Sequence, residues 1–264
     1  MIASRIAQAV LVFNLVMFLQ VSYAQQETFE DIGDRYYNMR NILKGARPQE
    51  EYIENAISNY RKALENSPSD ERIIFKYFKA NDFYCMYFVE KKDKKKLIYR
   101  DLIKTVEKNY SGNAKSPYLN YCLAVAWGRY GELLNILDAA KSGVAGKIKK
   151  YAENLYAADK NFNNCVAGLI LGRLYYQAPR IPVILTWPDV KKSKKYLEEC
   201  VASCPASLQG KYYLADTLYE LKETEEAQKY YNEVISAACR EEFLLEDREI
   251  QKGCTERMKA LGIK

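Results

Sequence analysis

Beyond the first two dozen residues, apolar side chains recur along this chain at steps of three and four, the spacing of one face of an α-helix. Alternating β-branched runs with Asn-Gly or Asp-Gly turns are missing, so strands are not expected. One pattern repeats. Ala56, Tyr60 and Ala63 lead to Pro68; Ser193, Leu197 and Cys200 lead to Pro205; Ala227, Tyr231 and Val234 lead to Cys239. The first three residues of each set share a helix face, and the proline stops the helix where it stands. Looser copies run Ile98, Leu102, Thr105, Tyr110 and Ile148, Ala152, Leu155, Lys160.

A second pattern precedes each of these, a small residue followed three positions later by a bulky one. It reads Gly33 with Tyr36, Ala80 with Phe83, Ala124 with Trp127, Gly172 with Tyr175 and Ala215 with Leu218. The small residues lie 47, 44, 48 and 43 positions apart. A small residue lets two helices approach and the bulky one fills the neighbouring groove. Each unit is therefore a helix pair, and stacked pairs bury one continuous core. The expected fold is all-α: an α-solenoid of about five antiparallel helix pairs with long inter-helix loops. A charged helix over residues 244–261 caps it.

Leu171-Gly172-Arg173-Leu174-Tyr175 and the run from Ala56 to Pro68 resemble the two halves of the tetratricopeptide signature. Only the unit from about Leu208 to Cys239 has the standard length, with Ala215 and Ala227 twelve apart. Elsewhere the halves stand further apart, 23 residues from Gly33 to Ala56 and 21 from Gly172 to Ser193. The segment from Gln177 to Asp189, followed by Lys191-Lys192 and Lys195-Tyr196-Leu197, is similar to the periplasmic T-component associated with TRAP transporters. It is also similar to the regulator-of-microtubule-dynamics group of tetratricopeptide proteins. The resemblance implies a right-handed stack with a concave inner groove. The T-component branch further implies oligomerisation and docking of a periplasmic solute-binding protein.

The amino terminus carries one basic residue, Arg5, an uncharged stretch from Ile6 to Tyr23, and the small-x-small ending Ser22-Tyr23-Ala24. That is the pattern of a signal peptide over residues 1–24, leaving a helical repeat domain over 25–264 that is exported, periplasmic or secreted. No later stretch is long and apolar enough to span a membrane. Net charge is +6, or +5 without Arg5, and is spread along the chain, which gives no reason to expect nucleic acid. The densest basic run, Lys91 to Lys96, reads as a solvated turn between helices. Seven cysteines in an exported chain leave at least one unpaired; most fall on apolar helix faces, and Cys239 with Cys254 is the candidate disulfide.

Chemistry is harder to find. The chain has no histidine, which excludes Ser-His-Asp and Cys-His catalysis and His-ligated metal. Gly143-Val144-Ala145-Gly146-Lys147 is too short for a phosphate loop. The acidic stretch Glu241, Glu242, Glu246 and Asp247 reads as solvated surface, with a weak cation site as the alternative. No cofactor, metal or enzymatic activity is expected. The 23 tyrosines suit packing and binding alike. Stepping along the first helices of the fourth and fifth pairs gives Arg173, Tyr176, Gln209, Tyr212, Asp216 and Tyr219 as groove residues that point outward. A second candidate contact is the apolar loop holding Pro179, Pro182 and Trp187. The expected function is a scaffold or adaptor for a protein or peptide; the alternative is a carrier of a small apolar ligand in an enclosed cavity.

Overall fold

The structure is a computed structural model that describes residues 27–45, 47–110, 115–178 and 186–263. The signal-peptide expectation for residues 1–24, and with it the domain boundary, lies outside the described residues, as do Pro179 and Pro182. Among those residues, twelve α-helices form five pairs and a cap. The pairs are α1 (Phe29–Asn38) with α2 (Glu50–Asn66), α3 (Glu71–Tyr87) with α4 (Lys92–Tyr110), and α5 (Pro117–Glu132) with α7 (Val144–Ala158). A short α6 (Ile136–Lys141) sits inside the third pair. The remaining pairs are α8 (Phe162–Gln177) with α9 (Val190–Ser203), and α10 (Leu208–Glu220) with α11 (Thr224–Ser236); α12 (Leu244–Leu261) is the cap. The loop after α1 contains a 3-10 turn, Met39–Asn41, and a two-residue antiparallel hairpin, β1 (Leu43–Lys44) with β2 (Arg47–Pro48).

The helix starts are written in the sequence. Thr28 accepts from the Asp31 amide while the Asp31 carboxylate accepts from the Thr28 amide, a reciprocal cap. Asp70, Ser116, Asp189 and Ser207 cap α3, α5, α9 and α10 through their side-chain oxygens. Pro117 follows Ser116 in the first turn of α5, where a missing amide costs nothing.

Packing follows the two repeated patterns. Every small residue of the first helices is buried, and a methyl added at Gly172 would stand 2.4 Å from Leu197 Cγ. At Gly33 it would stand 2.6 Å from the Tyr60 ring. The small residue of one helix thus seats the signature residue of its partner. First helices also touch the next first helix: α3 meets α5, α5 meets α8, α8 meets α10 and α10 meets α12. They form the inner layer, and α2, α4, α7, α9 and α11 form the outer one. The inner layer of α3 and α5 with outer α4 and α7 shares one large core around Phe78, Leu119, Leu123 and Leu155.

Three expectations need correction. The buried face of α4 is Tyr99, Leu102, Ile103 and Val106, one residue out of step with the expected Ile98 and Thr105. The residues Tyr99, Ile103 and Val106 then repeat the spacing of Ala56, Tyr60 and Ala63. The basic run at Lys92–Lys96 is the first turn of α4 rather than a turn between helices. Cys239 and Cys254 are free, and the disulfide joins Cys165 to Cys204 instead. That bridge ties α8 to the end of α9, next to a backbone kink where Asn163, Asn164 and Cys165 adopt φ of 45°, 61° and 59°.

Candidate functional site

The solenoid bends until its ends meet. Arg40, buried in the 3-10 turn after α1, donates from Nη1 to the Tyr37 carbonyl at 3.1 Å and from Nη2 to the carbonyl of Glu242. Asn41 donates to the carbonyls of Glu241 and Glu242 at 3.1 and 2.8 Å. The second 3-10 turn, Glu241–Phe243, thereby docks on the first, and Leu245 joins the apolar cluster of the first two pairs with Ala80 and Phe83. The concave groove of an open stack has become the inside of a ring.

That interior keeps a cavity of about 390 Å³ with walls from α1, α3, α5, α8, α10 and α12. The register is regular. Tyr121, Leu169 and Tyr212 each stand three residues before the small residue of their helix, and all three face the cavity. Val166 and Gln209 stand six before it and do the same. Aromatic rings make much of the wall. Charged side chains join them: Lys79 and Asp82 from α3, Arg129 from α5, Arg240 ahead of the cap, and Glu246 and Glu249 from α12.

Two of the three cations are matched by the chain itself. Arg129 Nε lies 3.3 Å from Asp82, which also accepts from the Tyr99 hydroxyl at 2.7 Å. Arg240 grips the fully buried Asp247 through Nε at 2.9 Å and Nη2 at 2.6 Å, and its amide donates to the same carboxylate. The acidic stretch before the cap is thus partly interior, not solvated surface. Lys79 has no ion pair or hydrogen bond among the described residues. Its ammonium sits 5.5 Å from the Tyr37 ring centre and 5.3 Å from that of Phe75. Burial, with repulsion from Arg40, holds its pKa below the usual lysine value. Burial pushes the Glu246 carboxyl the other way, above the usual carboxylate range.

A second hollow, of about 640 Å³, opens between α5, α6, α7 and α8. Its wall is mainly apolar, with Ala124, Val125, Val144, Ile148, Ile170 and Trp187. It shares Asp82, Tyr121, Arg129, Val166, Leu169, Gln209 and Tyr213 with the first, so the two adjoin. At its rim α6 exposes Ile136 and, beside it, Leu137, at 68% and 67%.

The residues expected from sequence divide between these places. Gln209 lines both hollows, Tyr212 the first and Arg173 the second. Asp216 turns inward instead of outward and is only 3% exposed. It receives Arg173 at 3.0 Å, Arg257 at 2.9 Å and the Tyr231 hydroxyl at 2.7 Å, joining α8, α10, α11 and α12. Tyr176 accepts from Arg257 at 3.3 Å, and Tyr219 packs against the core of the last pair. The cap covers this side of α10, which helical steps along α10 alone do not reveal. Trp187 lies edge-on to Tyr175 at 5.4 Å, in the wall of the second hollow. Lys79, Asp82, Arg129 and Glu246 were not among the expected residues. Applying the register of α10 to α5 and α8 points to the aromatic wall, but not to the charges.

These features define an α-solenoid of helix pairs closed into a ring. The particular version is tetratricopeptide-like. The chain superimposes on TTC0263, a thermophilic tetratricopeptide protein of Thermus thermophilus, with a TM-score of 0.55 and 11% identity, covering 88% of this chain and 96% of that one. It is also similar to two structures of MamA, with TM-scores of 0.42 and 0.40 at 16% and 14% identity. These cover 84% and 85% of this chain and 98% and 92% of those. No family model matches the chain, and no curated protein matches it.

Proposed function

We propose that this chain is an exported, non-enzymatic adaptor that receives a segment of a protein partner in the apolar hollow between α5 and α8. The observation that carries the reading is the hollow itself. About 640 Å³ of largely apolar wall stands open beside two exposed aliphatic side chains, Ile136 and Leu137, on a short helix. Apolar surface of this kind is retained at binding sites rather than left to solvent. The chain's lack of histidine supports a role without acid-base chemistry. The uncharged run from Ile6 to Tyr23 supports export. A narrower form, an accessory component of a periplasmic solute-uptake system that docks a solute-binding protein and forms oligomers, rests on the T-component resemblance. Capture of partners from cell-envelope extract by the wild-type chain and by Ile136→Lys/Leu137→Lys tests it. Recovery of a solute-binding protein or permease by the first and not the second supports the adaptor; equal recovery by both removes this hollow from the interface.

The alternative, a small-molecule carrier, is favoured by a different observation, the contact between residues some 200 positions apart that closes the ring. A charged interior argues for a ligand with polar groups rather than a purely apolar one.

A further inference from the structure

Inside the ring, two charged side chains are incompletely matched: Lys79 has no ion pair or hydrogen bond among the described residues, and Glu246 has one long ion pair, to Arg40. Lys79 on α3 and Glu246 on α12 line the same cavity of about 390 Å³, and among the described residues no ion pair within 4 Å joins them. Lys79 is bounded by aromatic rings, as described; the Glu246 and Glu242 carboxylates act on it through space, without a hydrogen bond or ion pair. Glu246 Oε1 has a distant contact, 3.8 Å, with Arg40, whose Nη donors already serve the carbonyls of Tyr37 and Glu242. Glu246 Oε2 is buried and has no hydrogen-bond donor. Arg129 is paired with Asp82 and Arg240 with Asp247, and Glu249, also at the cavity, is exposed to solvent. Buried charges are normally paired, because a charge taken out of water needs a counter-charge or donors in return. The open positions are thus an anion at the half-buried Lys79 and a donor at Glu246 Oε2, in one cavity.

We propose that the ring interior binds a small zwitterion, an amino acid or a molecule of the same charge pattern, with its anionic group on Lys79 and its ammonium on Glu246. The inference rests on the carrier reading and names its ligand class. A cavity of this size falls at the small end of the range for small-molecule sites. Tyr37, Tyr121 and Phe243 supply a wall for the ligand's carbon skeleton, and aromatic faces also favour an ammonium. Opposite charges from α3 and α12 fix the ligand's direction as well as its class. Only a molecule carrying both groups meets both demands, because a peptide terminus brings one charge and not the other.

The test is isothermal titration of the purified protein with the twenty proteinogenic amino acids. It continues with the tightest binder's N-acetyl derivative, its methyl ester and its N-acetyl amide, which are anion, cation and neutral molecule in turn. The expected result is saturable one-to-one binding of at least one amino acid, weakened tenfold or more by each derivative. Lys79→Met should weaken the amino acid tenfold or more but leave the methyl ester unchanged. Glu246→Gln should weaken the amino acid similarly and leave the N-acetyl derivative unchanged, with folding of both variants checked by circular dichroism. The derivative series uses the unaltered chain, so it decides the matter even if a variant fails to fold. If the neutral amide binds as tightly as the amino acid, the charge assignment is overturned while the carrier reading stands. If no member of the panel binds, both are overturned.

Discussion

Opening the ring is the perturbation with the clearest structural reckoning. The double variant Arg40→Met/Asn41→Ala removes the polar contacts that join the turn after α1 to the turn before α12. Arg40 contributes one charge-assisted bond across the junction, to the Glu242 carbonyl, and a 3.8 Å ion pair with Glu246 too long to add much; Asn41 contributes two neutral bonds at 3.1 and 2.8 Å. A hydrogen bond from a charged group is worth about 2 kcal/mol net and a neutral one about 1 kcal/mol, so the closure loses about 4 kcal/mol. The apolar contact of Leu245 remains. At about 1.4 kcal/mol per tenfold, the equilibrium for local opening shifts by about a thousandfold. Hydrogen exchange at the amides of residues 244–250, measured by NMR or mass spectrometry, reads this directly. Those amides should exchange several hundredfold faster or more, while the amides of α5 and α7 keep their wild-type protection. An acceleration below tenfold at residues 244–250 would refute the reasoning, because the junction would then be held by apolar contact alone.

Three further outcomes follow from the geometry. Gly172→Ala places a methyl 2.4 Å from Leu197 Cγ in a packed interior, and urea denaturation should show a loss of about 2 kcal/mol. Asp216→Ala strips Arg173, Arg257 and Tyr231 of their shared acceptor; the cost should be about 2 kcal/mol, modest because both guanidiniums keep some contact with water. Reducing the Cys165–Cys204 bridge, which closes a segment of 39 residues, should cost about 4 kcal/mol in thermal or urea unfolding. The pH dependence of Glu246 has a definite sign. Its folded pKa lies above its unfolded value, so its protonated form stabilises the fold at low pH, and that contribution is lost as pH rises through the folded value. Glu246→Gln, measured by urea denaturation without ligand, should therefore raise stability at pH 7 and change it little at pH 3.5. Equal effects at both pH values would exclude titration of Glu246 as the cause.

The stack itself was readable because its rule is local. A small residue three before a bulky one, and a face at offsets of four and seven, needs only one helix to be seen. The same locality explains the misses. In α4 the apolar residues Ile98, Tyr99, Leu102 and Ile103 offer two adjacent registers, and packing against α5 together with the Tyr99 bond to Asp82 on α3 selects the one with Tyr99 inside. Asp216 occupies an outward step on α10 by counting, but α12 returns to cover it, and a helix wheel carries no record of a helix 30 residues on. The Cys165–Cys204 pairing depends on three consecutive left-handed residues at the start of α8, in a segment that reads as ordinary helix. Glu246 looked like surface because its surroundings come from the far end of the chain.

In an open stack each repeat adds its own stretch of inner face, and a shortened chain keeps a shorter groove. Here the inner site is a joint property of the first and last helices, since Tyr37 and Glu246 wall the same space. During synthesis the early pairs can stack while the later ones are still missing, but the chamber exists only after residues about 200 positions apart have met. Any molecule held inside would then act as a reporter of a finished chain, and its release as a consequence of the two ends letting go.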